Sequence, residues 1–293
     1  MSKPMPQVLI PIDLSEQSLI TLDQSHNLAR FYRAELTILY VIDSGKKLDV
    51  NIDEEAHKKD IIYKLYELAA AVSKKHNIKV NPLLAKGQVY QKILDVAEMV
   101  RAKLIIMGAN GAISLNKRGV DSHTLRVVEG AKCPVVTIKG KQLRSSYKNI
   151  VLPLDLTKET TEKVKYAIDL GKTYGASIRV VSVLSEQNRS EVKRLEMQMK
   201  QAAFLIRSEV TCTTDLIKII QGHEKPAQTV VDYVKKVDAD LLMIMTQQEQ
   251  ASKIIPITNT SDTHDILNNS DISVMSIVPS VRQEQSRTLP FRW

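Results

Sequence analysis

The chain has 293 residues, 43% apolar and 25% charged, with ten Gly, ten Pro and two cysteines. This composition excludes collagen-like and low-complexity chains and a disulfide framework, and the length suggests two domains. The net charge of +8 is uneven: residues 1–146 carry 22 Lys/Arg against 15 Asp/Glu, and residues 147–293 carry 19 against 18. A basic half could favour an anionic partner, but no aromatic-interleaved basic stripe appears, which argues against nucleic acid. No apolar run approaches the ~18 residues of a membrane span. The start, Met1-Ser-Lys-Pro-Met-Pro6, lacks the features of a secretory signal, so a reducing, cytoplasmic setting without membrane contact is expected.

In the first half, Val8–Ile12 is a short unbroken apolar run, the pattern of a strand buried on both faces. Residues 16–33 follow with Leu19, Leu22, His26, Ala29 and Tyr32 at helical spacing, and Ser15 is placed to cap them. Leu36–Ile42 reads as a strand, 55–76 as a helix, Val80–Ala85 as a strand and 88–101 as a helix. Leu104–Met107, a helix at 122–131 and a strand at Val135–Lys139 complete the half.

The pattern then returns. Gln7-Val-Leu-Ile-Pro-Ile-Asp-Leu-Ser15 reappears as Asn149-Ile-Val-Leu-Pro-Leu-Asp-Leu-Thr157, a shift of 142 residues. At that shift Leu28, Tyr32, Ala34 and Val41 fall on Leu170, Tyr174, Ala176 and Val183, and the strand Leu36–Ile42 falls on Ile178–Leu184. The chain is one domain written twice, with expected limits 1–142 and 147–279 and a tail at 280–293. Strand–helix alternation requires a parallel sheet with right-handed crossovers and helices on both faces. Ligands on such sheets bind beyond the carboxyl ends of the strands at the point where strand order reverses. The residues after the first and fourth strands therefore matter most.

Asp13 and Asp155 follow the first strand of each half. Such a carboxylate either accepts bonds from an adenine amino group or ribose hydroxyls, or it caps the turn. After the fourth strand come Gly108-Ala-Asn-Gly111, which either lets backbone approach a phosphate or forms an ordinary tight turn. A nine-residue loop with Lys117 and Arg118 leads to Asp121-Ser-His-Thr-Leu-Arg126, which opens the last helix of the half. A helix start offers free N–H groups to an anion, and Ser122 and Thr124 add hydroxyls unless they serve only as caps. The second half has Thr246-Gln-Gln-Glu249 in place of Gly108–Gly111 and keeps Ser261 and Thr263. The six histidines show no paired ligand spacing, so no metal site is expected.

The strand ending in Asp13, the Gly108-x-x-Gly111 turn, the Ser122 segment and the ending Cys133-Pro-Val-Val136 together resemble the universal stress protein family in its tandem form. The resemblance implies two copies of an adenine-nucleotide alpha hydrolase-like (Rossmann-like) domain, each a five-stranded parallel sheet. It implies that Asp13 contacts adenine or ribose and that backbone groups of Val41 read the adenine edge. Gly108, Asn110 and Gly111 would line ribose and phosphates, and Ser122, the amide of His123 and Thr124 would hold the phosphate chain. The family's third glycine is Asp121 here, which brings like charge to the phosphates unless Mg²⁺ bridges them. Asp155, Val183, Ser261 and Thr263 would make a weaker second site. The implied role is a stress-response protein, not an enzyme, that binds ATP and acts through protein partners that the sequence does not name. The alternatives are a scaffold with decayed sites or a slow ATPase. Family members dimerise through the last strand, so Val135–Lys139 and Ile272–Val278 could pair within the chain as a pseudo-dimer, with homodimerisation possible.

Overall fold

A computed structural model describes residues 5–45, 53–109, 122–140, 146–154, 160–184, 189–219, 225–246 and 260–278. The described residues through Gly140 form one compact unit, and those from Ser146 onward form a second.

The first unit runs β1 (Gln7–Pro11), α1 (Glu16–Tyr32), β2 (Glu35–Asp43), α2 (Glu54–His76), β3 (Val80–Gly87), α3 (Val89–Met99), β4 (Ala102–Gly108), α4 (Ser122–Gly130) and β5 (Val135–Ile138). Its strand order is β3-β2-β1-β4-β5, and every pairing is parallel. The chain winds outward from β1 to β3, then returns to place β4 on the other side of β1. Strand order thus reverses between β1 and β4. Val8, Leu9 and Ile10 of β1 and Leu104, Ile105 and Ile106 of β4 are all fully buried, as central strands covered on both faces must be. Pro82, which cannot donate to a ladder, sits on the edge strand β3.

The second unit repeats the plan with β6 (Asn149–Pro153), α5 (Thr160–Tyr174), β7 (Ser177–Leu184), α6 (Arg189–Arg207), β8 (Cys212–Lys218), α7 (Pro226–Lys236), β9 (Leu241–Met245), α8 (Thr260–Asn269) and β10 (Ser273–Ile277). Its order is β8-β7-β6-β9-β10, again parallel throughout.

The buried face of α1 differs from the expected one. Leu19 is exposed, and the inner face carries Ser18, Thr21, Leu22, Ser25, Leu28 and Ala29. Burying hydroxyls is tolerable because each bonds a carbonyl of the preceding turn: Ser18 Oγ to Ser15 O at 2.9 Å, Thr21 Oγ1 to Gln17 O at 2.8 Å and Ser25 Oγ to Thr21 O at 2.7 Å. These small side chains bring α1 close to β4. Among the described residues no helix is long and apolar enough to cross a membrane. Cys133 and Cys212 are unpaired, and burial pushes the Cys133 thiol up to about 12, far from reactive.

Candidate functional site

The crevice lies beyond the carboxyl ends of β1 and β4. Asp13 stands at its entrance, exposed, with Oδ1 accepting from Ser15 N at 3.0 Å and from Ser15 Oγ at 2.5 Å. The capping role weighed for Asp13 is therefore present. Ser15 in turn caps α1, its Oγ accepting from Ser18 N at 3.3 Å. Burial alone would raise the Asp13 carboxyl, but the bonds from the Ser15 hydroxyl and amide outweigh it and hold it below its ordinary value. At neutral pH it is a charged acceptor, the form suited to amino and hydroxyl groups.

The turn bends at Leu14, whose φ of 64° lies in the left-handed region. Leu14→Ile keeps the volume but adds a β-branch there, and should cost about 1 kcal/mol in urea unfolding; an unchanged midpoint would mean that the turn relaxes.

Val41 offers backbone, not side chain. In a parallel ladder, a residue's N–H and C=O point to the same neighbour, and successive residues alternate. Glu35 N–H bonds Pro6 O and Leu36 N–H bonds Lys79 O, so odd-numbered residues of β2 face β1 and even-numbered ones face β3. The last bond on the β1 side is Ile12 N–H to Leu39 O, at 2.8 Å. Val41 comes next, so its N–H and C=O face the space past the end of β1. The same holds in the second unit, where Leu154 N–H to Val181 O is the last bond before Val183.

Gly108 ends β4 against α1. A Cβ built there would lie 2.9 Å from Thr21 Oγ1, 3.2 Å from Gln17 Cγ and 3.3 Å from Gln17 O. Its missing side chain is thus required by helix packing, whatever else it serves. Gln17 Nε2 also donates to Ile138 O at 3.0 Å, tying the first turn of α1 to the end of β5.

Ser122 begins α4, His123 is half-buried and Thr124 is buried. Asn110, Gly111, Lys117, Arg118, Asp121 and Asp155 lie outside the described residues, as do the side chains of Ser122 and Ser261. Thr263 is buried on α8.

The register corrects one correspondence. Val8 pairs with Leu104, and Ile150, the repeat of Val8, pairs with Leu241. Leu241 therefore matches Leu104, and Met245, not Thr246, occupies the place of Gly108; Thr246 matches Ala109. A gap-free shift across the apolar run hid this offset. At the shift of 142, buried Lys163 replaces Thr21. The second unit thus sets a methionine and a lysine stem where the first has a glycine and a threonine. Thr246 donates both its N–H (2.9 Å) and its Oγ1 (3.2 Å) to Ile277 O, so one residue serves the carbonyl that Ala109 and Gln17 share in the first unit.

Sequence reasoning passed over a cluster on the far half of α1. His26 and His76 stack with centroids 3.7 Å apart and planes at 11°, and both contact Asp23. Residues 50 positions apart gave no spacing signal. Among the described residues no group of three His, Cys, Asp or Glu could hold a metal ion.

The universal stress protein family model matches residues 5–139 and again 146–277. A universal stress protein of Synechocystis sp. is 32% identical over 135 residues, covering 45% of this chain and 83% of that protein. One from Bacillus subtilis is 27% identical over 150 residues, covering 45% of this chain and 98% of the relative. The crystal structure of a universal stress protein from Archaeoglobus fulgidus superposes with a TM-score of 0.73 at 18% identity, over 93% of this chain and 98% of that one; at such identity the likeness concerns the fold. With two consecutive matches and two copies of one parallel α/β plan, the chain belongs to the universal stress protein family as a tandem two-domain member.

Proposed function

We propose that the first domain binds an adenine nucleotide, ATP-like, in the crevice between β1 and β4, and that the protein acts in a cytoplasmic stress response by ligand-dependent interaction with protein partners, without turnover. The observation that carries this reading is Val41, whose backbone donor and acceptor face the space past β1. One N–H and one C=O at that spacing complement the ring nitrogen and amino group of an adenine edge. Asp13, a charged acceptor on the adjoining turn, suits ribose hydroxyls or the amino group. In the same reading Gly108, Asn110 and Gly111 line the ribose and phosphates, while Ser122, the His123 amide and Thr124 receive the phosphate chain at the start of α4. Mg²⁺ would offset the charge of Asp121. Calorimetric titration of ATP, with and without Mg²⁺, should give about one site per chain, as one competent crevice per tandem predicts. Gly111→Glu, which adds volume and negative charge, should abolish it. Absence of heat at millimolar ATP would overturn the reading and turn attention to the alternative scaffold role.

For the second domain a different reading is favoured by Met245 and buried Lys163, which occupy the positions of Gly108 and Thr21. There Asp155, Val183, Ser261 and Thr263 are the remains of a site retained for packing and interaction. An Asp155→Ala chain should therefore keep the stoichiometry of the parent.

A further inference from the structure

The cluster on α1 joins that helix to the end of α2. His76 is the last residue of α2, and its Nε2 donates to Asp23 Oδ1 at 2.8 Å. The same oxygen accepts from Lys75 Nζ at 2.6 Å. His26 Nδ1 donates to Asp23 O at 2.6 Å. Arg30, one turn further along α1, reaches His76 O at 3.3 Å, one of the carbonyls left open at the helix end. Each ring thus uses one N–H on an acceptor of Asp23.

Face-to-face packing of two imidazoles suits neutral rings. Two cations at that separation repel, so the second proton is resisted while the stack persists. We propose that the stacked His26–His76 pair is a proton-sensitive clasp, which fastens α1 to α2 at neutral pH and loosens it in acid. The charged groups at the pair are Asp23 and Arg30 on α1, and Lys75 of α2 shares the Asp23 carboxylate with His76. Burial is the largest influence on His26 and depresses its proton affinity, with His76 and Arg30 adding to the effect against the Asp23 carbonyl. A depressed folded-state value means stabilisation that is present above the unfolded value, about 6.5, and lost as pH falls below it. Asp23 lies below its ordinary value, through bonds from Lys75 and His76 that outweigh burial, so its contribution persists until far lower pH. Between these ranges His26 is the sensor.

The clasp does not depend on nucleotide binding, and its test needs no ligand. Ring-labelled NMR titration of the full chain should show His26 titrating below about 6.5. Amide exchange in α1 and the last turn of α2, corrected for intrinsic rates, should accelerate about tenfold between neutral pH and about pH 5. His26→Gln, which cannot take the proton, should reduce that acceleration to under about twofold. Ordinary titration of His26, or equal acid acceleration in the parent and His26→Gln, would overturn the proposal. Should His26→Gln fold poorly, the parent's titration curve still decides.

Discussion

Gly108→Val should destabilise the first domain by about 2–3 kcal/mol, the range expected for overpacking a filled site. The first atom of any side chain at this position meets three obstacles. Thr21 Oγ1, at 2.9 Å, cannot swing away, because the residue is fully buried and its hydroxyl bonds Gln17 O at 2.8 Å. Gln17 O, at 3.3 Å, is helix backbone, and Gln17 Cγ belongs to a side chain already committed to Ile138 O. On the strand side, Gly108 is in register with Ile138, which prevents β4 from retreating. Gly108→Ala should cost about 1 kcal/mol, and a Thr21→Ala background should recover about half of it, a coupling of about 0.5 kcal/mol in a double-mutant cycle. At roughly 3 °C per kcal/mol for a domain of this size, the valine variant should melt several degrees early. The measurement also separates two roles of one residue. Lost nucleotide binding at unchanged stability would assign Gly108 to the phosphate cradle alone, whereas lost stability in the absence of nucleotide assigns it to helix packing.

The order of elements was legible because a parallel sheet buried on both faces writes itself as short unbroken apolar runs, and β1, β4 and β9 are such runs. Their ends moved by a residue or two. Leu104–Met107 extends to Ala102–Gly108, and 88–101 shortens to Val89–Met99. The inner face of α1 was not legible. Periodicity selects large apolar residues, and Leu19 fitted the stripe, but the helix turns Ser18, Thr21 and Ser25 inward to approach the strands closely. Hydroxyls that satisfy themselves on the preceding turn give no signal in a hydropathy pattern. In the candidate site, Asp13 was singled out by its place after β1, while the direction in which the Val41 N–H and C=O face follows from ladder parity, which needs the register. The displacement of Gly108 onto Met245 was hidden for the same reason: an apolar run can be slid by one residue without changing its composition.

Asp240→Ala should cost the second domain about 3 kcal/mol, from the loss of bonds by a buried charged acceptor to two backbone donors. Asp240 precedes β9 and is 8% exposed. Its carboxylate accepts from Lys148 N at 2.9 Å and Asn149 N at 3.2 Å, while its own N–H bonds Asn149 O at 3.0 Å. Asn149 carries the connection onward. Its Nδ2 donates to Val237 O at 2.6 Å, and its Oδ1 accepts from Arg179 Nε at 3.0 Å. The amino ends of β6, β7 and β9 are therefore joined through one carboxylate and one amide. Alanine leaves two partly buried amides without their acceptor. Asp240→Asn retains an oxygen but not the charge and should cost about half as much. Lys103 matches Asp240 in the first domain and is exposed, so this clamp has no copy there. That domain ties its strand starts through Glu35 instead, which accepts from Gln7 Nε2 at 3.2 Å and Asn81 Nδ2 at 3.1 Å. Amide exchange should thus accelerate in β6, β7 and β9 of the Asp240→Ala chain while β1 and β2 keep their protection. Equal loss in both sheets would show that the network is not the source of the effect. Equal loss from alanine and asparagine would show that charge, not geometry, is what the amides require.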